Sequence, residues 1–239
     1  MGVLKTVYKH ISYALTLKRA DAIVAISNFT KNSIMQYYQT SKDKIKVIYP
    51  YIRQFPYPDN ALLDAYGLNS NYLIIFAHHK HKNAGTALAA VKKVIEKDST
   101  FKVVIIGSDQ KIRNELADIV NASQYRENVF FLREITDAQL AAIYCNALAL
   151  VFPSKYEGFG YPVLEASFFS LPVVCSEIEP LTEFGFENIT YVNPNDIAAM
   201  GTELMKIVKN KKQLHRISIP EMYTKDHFLD QHKNVLRSV

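Results

Sequence analysis

Short apolar segments alternate with helical segments along most of this chain, and that alternation restricts the folds it can adopt. The apolar segments are rich in β-branched residues, and several contain no charged residue, so both faces of those strands are expected to be buried. We predict strands within residues 22–27, 44–49, 72–77, 102–107, 128–132, 148–152, 172–176 and 190–192. Apolar strands separated by helices are typical of a parallel sheet covered on both faces, which makes the predicted fold class α/β.

Helices are predicted between these strands, near residues 84–97, 110–122 and 161–169. Ser27 and Thr136 each precede a helical segment and are expected to cap it, because a side-chain oxygen at that position accepts a free backbone N–H. Residues 211–239 are predicted to form two helices broken around Pro220. Three prolines lie within residues 50–60, and proline removes a backbone donor and blocks helix, so we predict a linker there.

Composition excludes several classes of protein. The chain has 239 residues, of which 49% are hydrophobic and 21% are charged, so it is neither disordered nor fibrous. It contains no apolar run of about 18 residues, the length that a membrane-spanning helix needs. Its two cysteines, Cys145 and Cys175, make no disulfide framework, so we expect buried thiols in a reducing, cytoplasmic compartment.

Positive charge is concentrated in the first quarter of the chain. Residues 1–60 carry nine Lys or Arg and three Asp or Glu, whereas residues 61–239 carry nineteen and twenty. A basic flank favours an anionic partner, such as a membrane surface or an acidic protein, although a solvated charged face is the simpler explanation. Nucleic acid is not an expected partner, because the sequence has no helix-turn-helix or zinc-finger pattern.

The segment at residues 153–165, PSKYEGFGYPVLE, holds the clearest cluster of functional residue types. Ligands of an open parallel sheet bind at the carboxyl ends of its strands, which is where this segment is expected. Glycines flank Phe159 just before a helix, and they let backbone N–H groups approach a phosphate or a sugar hydroxyl. Glu157 and Glu165 can accept hydrogen bonds from a polyol, although in isolation they would be explained as solvated carboxylates near a helix start.

In its full form, PSxxEGFGxPxxEA, this segment resembles the signature of the family 4 glycosyltransferases, which have the GT-B fold. Other segments resemble the same family, namely RADAIVAISNFTKNSI, KVVIIGS, FLREITDAQLAAIYCNALALVFPS and LPVVCSEIEPLTEFGFENITYVNPND. The resemblance covers residues 18–239. It implies a Rossmann-like parallel sheet that forms the C-terminal, donor-binding half of a GT-B fold, with a remnant of the N-terminal domain before it.

The resemblance also implies boundaries within the chain. Residues 1–52 would be a remnant of the N-terminal, acceptor-binding domain, with the order helix-strand-helix-strand, and residues 53–60 would be a linker. Residues 61–210 would bind the nucleotide-sugar, and residues 211–239 would form helices that return toward the N-terminal domain. Because a full N-terminal domain of this family is a domain-sized unit of about 150–200 residues, a separate N-terminal-domain polypeptide is one expected partner.

Two residues are assigned catalytic roles by the resemblance. Glu157 would hold the transferred sugar, and Lys82 would neutralise the diphosphate as its negative charge develops on departure, an electrostatic role that needs no metal. We therefore expect no cofactor and no metal, only the nucleotide-sugar as a substrate. The chain has no D-x-D motif, which argues against the metal-dependent GT-A class.

Further residues are implied to bind the donor: Gly158, Phe159, Gly160, Glu165, Lys80, Gly107 and Arg133. Glu165 would accept hydrogen bonds from the ribose hydroxyls, and the loop that contains Arg133 would contact the base. Gly107 borders the nucleotide in the family, although it can equally be explained as the end of a strand.

The sequence departs from the family pattern at FAHHKHKN, where the family has an arginine that shares the diphosphate. We expect Lys80, His78 or His81 to take its place. A metal site formed with His79 is the weaker alternative, because neighbouring residues of a strand point to opposite faces. Ser170 stands where the family usually has a glycine.

The function implied by the resemblance is that of a retaining glycosyltransferase, which moves a sugar from a nucleotide-sugar to a glycan or lipid-linked acceptor in bacterial surface polysaccharide or lipopolysaccharide synthesis. Two alternatives stay open: a nucleotide-sugar-binding subunit that is inactive alone, and a phosphorylase of the same fold. An apolar stripe with helical spacing that includes Val7, Ile11 and Leu15 is expected to pack on the missing domain. Its alternative is peripheral contact with the inner face of the cell membrane.

Overall fold

The chain divides into two units in this computed structural model, which describes residues 2–68, 71–210 and 217–238, with side chains from residue 7 onward. The smaller unit consists of residues 1–52 and 220–239, and the larger unit of residues 53–219. The helices are α1 (Gly2–Arg19), α2 (Asn28–Tyr38), α3 (Ala61–Ala65), α4 (Ala84–Lys97), α5 (Gln110–Asn121), α6 (Asp137–Asn146), α7 (Tyr161–Phe168), α8 (Ile197–Asn210) and α9 (Lys225–Arg237). The strands are β1 (Ile23–Ala25), β2 (Ile45–Val47), β3 (Tyr72–Phe76), β4 (Lys102–Ile106), β5 (Val129–Leu132), β6 (Ala149–Phe152), β7 (Val173–Ser176) and β8 (Ile189–Val192).

The smaller unit is built on a two-stranded parallel sheet. β1 pairs with β2, with Ile23 opposite Ile45, and these two side chains are buried. Ser27 caps α2 as predicted, because its Oγ accepts a hydrogen bond from the Thr30 backbone N–H at 3.0 Å. α9 belongs to the same unit, and the Phe228 ring of α9 meets the Tyr51 ring edge-on with centroids 5.0 Å apart.

The larger unit contains a six-stranded parallel sheet in the order β5-β4-β3-β6-β7-β8. All five pairings between neighbouring strands are parallel, so the predicted α/β class and parallel sheet are confirmed. The chain winds outward from β3 in one direction and from β6 in the other, which is the doubly wound order of nucleotide-binding sheets. The carboxyl ends of β3 and β6 therefore meet at the point where the winding reverses.

The core of the larger unit lies on both faces of this sheet. All five residues of β3 are buried, as a central parallel strand requires. α4 packs seven buried side chains and lies against α8, where Gly201 brings the two helices close because a Cβ there would contact Lys93 and the Ala90 backbone. Each fully buried aliphatic side chain stabilises the fold by about 1.5–3 kcal/mol.

Three features differ from, or extend, the sequence-based expectations. Cys175 is buried, but Cys145 is exposed, so the expectation of two buried thiols is wrong for Cys145, which lies on the outer face of α6. Ser170 has a φ of 55°, which explains why related sequences would favour glycine there. The first helix predicted for the tail lies largely in residues 211–216, outside the described residues.

The segment at residues 53–60 has neither helix nor strand, as its prolines predict, yet it is not detached from the larger unit. Phe55 packs against Tyr144, Phe168 and Phe169, with ring centroids 4.9–6.2 Å apart. No helix among the described residues is both long enough and apolar enough to cross a membrane.

Candidate active site

The loops that follow β3 and β6 are joined to each other at the carboxyl edge of the sheet. The loop after β3 contains a short 3₁₀ turn, Lys80–Lys82, and the loop after β6 begins at Pro153. The His81 carbonyl accepts the Lys155 backbone N–H at 2.8 Å and the Ser154 hydroxyl at 3.1 Å. These bonds bring the side chains of the two loops together at the reversal of the winding.

Lys82 and Glu157 form an ion pair at this junction. Lys82 Nζ donates to Glu157 Oε1 at 2.6 Å, and Ser154 Oγ donates to the same oxygen at 2.6 Å. The exposed fractions of the two charged side chains are 12% and 8%, so both charges are nearly buried. Lys82 Nζ also lies 4.8 Å from the centre of the Phe152 ring, whose face attracts a cation. A buried pair needs such additional partners, because desolvation opposes the attraction between the charges.

The glycine turn between Glu157 and α7 is determined by backbone geometry. Gly160 is the N-cap residue of α7 with a φ of 103°, and an added Cβ would collide with the Leu181 side chain. Phe159 is buried and packs edge-on against Tyr161 and Phe184. Phe159 therefore faces the protein interior, and only the backbone of this turn can reach a ligand.

Glu165 lies within α7 with only 7% of its side chain exposed. Tyr144 of α6 donates its hydroxyl to Glu165 Oε2 at 2.9 Å, and Arg53 Nε lies 2.9 Å from Oε1. The Arg53 contact is ionic, because its angle does not meet hydrogen-bond geometry. Burial raises the pKa of the Glu165 carboxyl; Arg53 and the Tyr144 hydrogen bond oppose that shift, and Asp137 adds to it.

A cavity of about 530 Å³ opens beside Glu165. Its lining includes Arg53, Phe76, His78, Arg133, Asp137 and Glu165. The structure thus brings together two residues predicted to bind the donor, Glu165 and Arg133. Lys82 and Glu157 belong to the neighbouring loops and do not line this cavity.

The remaining predicted residues are placed differently. The side chain of Lys80 is 71% exposed, with Nζ 3.9 Å from Glu115, so the structure brings Lys80 into neither cluster. Gly107 follows β4, and an added Cβ would lie 2.7 Å from the Ala77 carbonyl oxygen. This close approach by itself requires glycine at position 107.

The three histidines of the loop after β3 have different surroundings. His78 lines the cavity, and burial, with the charges of His79 and Lys82, lowers its pKa. Burial likewise lowers the pKa of His81, as does the charge of Lys82, whereas Glu157 opposes that shift. Within residues 2–68, 71–210 and 217–238, no three or more His, Cys, Asp or Glu side chains are arranged to hold a metal ion.

Sequence analysis missed three polar residues that contact the predicted site. Arg53 stands in the proline-rich segment, where composition indicated only a linker. Tyr144 lies in an apolar helical run and was not distinguished from core residues. Ser154 immediately precedes the glycine loop, and its proximity to Glu157 was the one available signal.

Solved structures share this architecture. Sucrose-phosphate synthase from Thermosynechococcus elongatus matches with a TM-score of 0.80 at 18% identity, over 97% of this chain and 61% of that one. Anabaena HepE in complex with UDP and glucose matches with a TM-score of 0.79 at 16% identity, over 94% of this chain and 65% of that one. The chain therefore has the fold of part of a GT-B glycosyltransferase.

The family follows from sequence. The family model described as glycosyl transferases group 1 matches residues 68–219, and the chain belongs to this family. The O-antigen chain mannosyltransferase RfbU of Salmonella typhimurium is 28% identical over 88% of this chain. The O-antigen chain mannosyltransferase B of Escherichia coli is 26% identical over 85% of it. The chain spans 56% and 55% of the length of these two relatives.

Proposed function

We propose that this chain is the donor-binding part of a retaining glycosyltransferase that moves a sugar from a nucleotide-sugar to a glycan or lipid-linked acceptor. The observation that carries the proposal is the nearly buried Lys82–Glu157 pair at the reversal of the sheet winding, on the same edge as the Glu165 cavity. Ligands of doubly wound sheets bind at this position.

Each group suits one part of the donor. The Glu165 carboxylate accepts hydrogen bonds from the ribose hydroxyls, and the loop around Arg133 faces the base. Lys82 and Ser154 both donate to Glu157 Oε1. Neither donates to Oε2, which can therefore accept a hydrogen bond from a hydroxyl of the transferred sugar. The backbone of the turn before α7 supports the same sugar.

Lys82 supplies the electrostatic part of the reaction. In a retaining transfer, the bond between the anomeric carbon and the diphosphate oxygen breaks, and its electron pair stays on the diphosphate. The acceptor oxygen bonds to the same face of the carbon, and its proton passes to the departing diphosphate. The Lys82 ammonium is held nearly buried in advance, so it can stabilise the developing charge without a metal.

The biological context is proposed from the relatives. RfbU and mannosyltransferase B are both named as O-antigen chain mannosyltransferases, and a capsular polysaccharide glycosyltransferase of Staphylococcus aureus is 24% identical over 80% of this chain. We therefore propose a role in surface polysaccharide or lipopolysaccharide synthesis, with mannose as the first sugar to test.

The test is calorimetric titration of the purified chain with UDP, GDP, ADP and dTDP. We expect one nucleotide to bind, and Glu165→Ala to abolish that binding. Glu127→Ala is the matched control, because Glu127 is exposed in the turn before β5, at the amino end of the strand. Absence of binding by all four nucleotides, in a chain shown to be folded by circular dichroism, would reject a donor site that works in the isolated chain.

A second candidate function is a partner-dependent or non-catalytic nucleotide-sugar-binding subunit. The chain spans about half the length of the curated relatives it matches. Turnover of a radiolabelled nucleotide-sugar by the purified chain, with a lipid-linked or glycan acceptor, separates the two candidates. Transfer without any other protein would eliminate the subunit hypothesis.

The partner-facing surface proposed for this function is the exposed face of α1. Val7, Tyr8, Ile11, Tyr13 and Leu15 are each at least 50% exposed, and α1 contains no acidic residue. A separate N-terminal-domain polypeptide would bury these side chains. An anionic membrane on the cytoplasmic side is the alternative, because basic helices with exposed apolar and tyrosine side chains bind such surfaces.

Vesicle flotation distinguishes the two partners. If the membrane is the partner, the chain floats with vesicles that contain an anionic lipid, and Ile11→Ser with Leu15→Ser abolishes flotation. Leu236→Ser is the matched control, because Leu236 is 74% exposed on α9. Failure of the unmodified chain to float would reject membrane contact and leave the polypeptide partner.

A further inference from the structure

Arg53 links two acidic residues that belong to different helices of the larger unit. Its Nε lies 2.9 Å from Glu165 Oε1, within α7, and one terminal nitrogen donates to Asp137 Oδ1 at 2.6 Å, at the first residue of α6. The planar guanidinium has several N–H donors in a rigid arrangement, so it can hold both carboxylates at once. One side chain thus connects the ribose-binding carboxylate to the helix that follows the base-binding loop.

The position of Arg53 is itself determined by packing. Its guanidinium lies 4.7 Å from the centre of the Phe55 ring. Phe55 in turn packs against Tyr144, against Phe168 of α7 and against Phe169, which follows α7. Further along the segment, the Asp59 backbone N–H donates to the Ala138 carbonyl at 3.0 Å. The proline-rich segment is therefore anchored on the same helices that carry the two carboxylates.

Glu165 is left with limited but sufficient acceptor capacity. Each carboxylate oxygen offers about two acceptor positions. Tyr144 occupies one acceptor position on Oε2, and the Arg53 contact with Oε1 is ionic, so each oxygen has an acceptor position available for one of a pair of adjacent hydroxyls. A protonated Glu165 would lose part of this capacity, and burial in α7 favours protonation.

We propose that Arg53 is a positioning residue of the donor site, which holds the Glu165 carboxylate in place and ionised for the ribose hydroxyls and ties it to Asp137. This inference rests on the proposed function of the cavity. Six charged or titratable groups face Glu165 or share its cavity: Arg53, Tyr144, Asp137, Arg133, Glu134 and His78. Of these, Arg53 is the cation that contacts the carboxylate.

The test measures nucleotide affinity against pH for the unmodified chain, Arg53→Gln and Arg53→Lys, with the nucleotide that the unmodified chain binds among UDP, GDP, ADP and dTDP. Arg126→Gln is the matched control, because Arg126 is exposed in the turn before β5. We expect Arg53→Gln to bind more weakly than the unmodified chain at acidic pH and to recover as the pH rises. Below the titration midpoint of Glu165, affinity falls by up to about tenfold per pH unit, and that midpoint is higher without Arg53.

We also expect partial rescue by lysine. Arg53→Lys keeps a cation near Glu165, so its nucleotide affinity should be closer to that of the unmodified chain than the affinity of Arg53→Gln is. Equal affinity of Arg53→Gln and the unmodified chain at every pH would overturn the inference. Tighter binding by Arg53→Gln would also overturn it, because Arg53 would then compete with the ribose.

A second readout does not depend on nucleotide. The carbon-13 shift of the Glu165 carboxyl is followed against pH in the unmodified chain and in Arg53→Gln, and we expect a higher midpoint in the variant. An unchanged midpoint would overturn the role of Arg53 even if nucleotide binds. Conversely, if the Glu165 midpoint is higher in Arg53→Gln but the unmodified chain binds none of the four nucleotides, the role of Arg53 stands and the proposed function is rejected.

Discussion

Lys82 and Glu157 are 75 positions apart in the sequence, and Lys82 Nζ donates to Glu157 Oε1 at 2.6 Å. The pair bridges the loops after β3 and β6, the two strands from which the sheet winds in opposite directions. Because the pair is nearly buried, its charges are held in place before any ligand arrives. That arrangement suits a reaction in which negative charge develops on a leaving diphosphate.

Replacement of Lys82 tests this pair. Lys82→Ala leaves the Glu157 carboxylate nearly buried without its cation, so we expect the free energy of unfolding to fall by about 3 kcal/mol. Transfer activity, measured with the acceptor and any required partner present, is expected to be lost. Lys80→Ala is the matched control, because the Lys80 side chain is 71% exposed. Its effect on stability should be within about 0.5 kcal/mol, and equal effects in urea unfolding would contradict the prediction.

Gly160 and Gly85 should respond to alanine in opposite directions. Gly160 has a φ of 103°, and an added Cβ would meet Leu181, so Gly160→Ala should destabilise the protein by about 1–3 kcal/mol. Gly85 lies within α4, and an added Cβ there would meet no atom within 4 Å, so Gly85→Ala should stabilise the protein by about 0.5–1 kcal/mol. Thermal unfolding measures both changes. If both substitutions shift the Tm equally and in the same direction, the prediction of opposite effects on stability is wrong.

Glu165 should make stability depend on pH. Its pKa is raised in the folded protein, chiefly by burial, so its contribution is fully present below the pKa of the unfolded chain, about 4.3. That contribution is lost as the pH rises through the higher pKa of the folded state. Relative to Glu165→Gln, which does not titrate, the unmodified chain should therefore become less stable as the pH rises above about 4 and through the raised pKa of Glu165.

Urea unfolding at several pH values measures this difference. Glu127→Gln serves as the control, because Glu127 is exposed and its replacement should give a constant difference in stability. A difference between the unmodified chain and Glu165→Gln that stays constant with pH would contradict the raised pKa of Glu165.

Phe55 should matter for both stability and ligand affinity. Its ring packs against three aromatic residues, so Phe55→Ala should lower the free energy of unfolding by about 2 kcal/mol, less than a fully buried phenylalanine would. Nucleotide affinity should fall as well, because Phe55 supports Arg53. Tyr57→Ala is the control, since Tyr57 is 96% exposed. If both variants bind nucleotide as the unmodified chain does, the anchored segment plays no part in binding.

Most of the secondary structure could be predicted because its signals are local. α4 occupies residues 84–97 as predicted, and Thr136 forms the predicted cap of α6, with Gln139 completing a capping box. Each of the six strands of the large sheet lies within, or one residue beyond, its predicted apolar segment. Hydrophobic periodicity and capping depend on residues a few positions apart, so a sequence displays them directly.

The site could be predicted in part. Glu157, Glu165 and Lys82 lie on the predicted edge, because strand-to-helix loops of a parallel sheet all open on one side. The position of the Lys80 side chain could not be predicted from the sequence in this way. It is two residues from Lys82, yet the turn directs one side chain into the junction and the other into solvent.

The sequence by itself determined the α/β class, the family and the glycine turn before α7, since these depend on short patterns and local backbone preferences. Only the tertiary structure decided that Arg53, from a segment with linker composition, contacts Glu165, and that Tyr144 contacts the same carboxylate. The physical reason is distance along the chain. Arg53 and Glu165 are separated by four of the six strands, so their contact depends on how the whole sheet winds and packs.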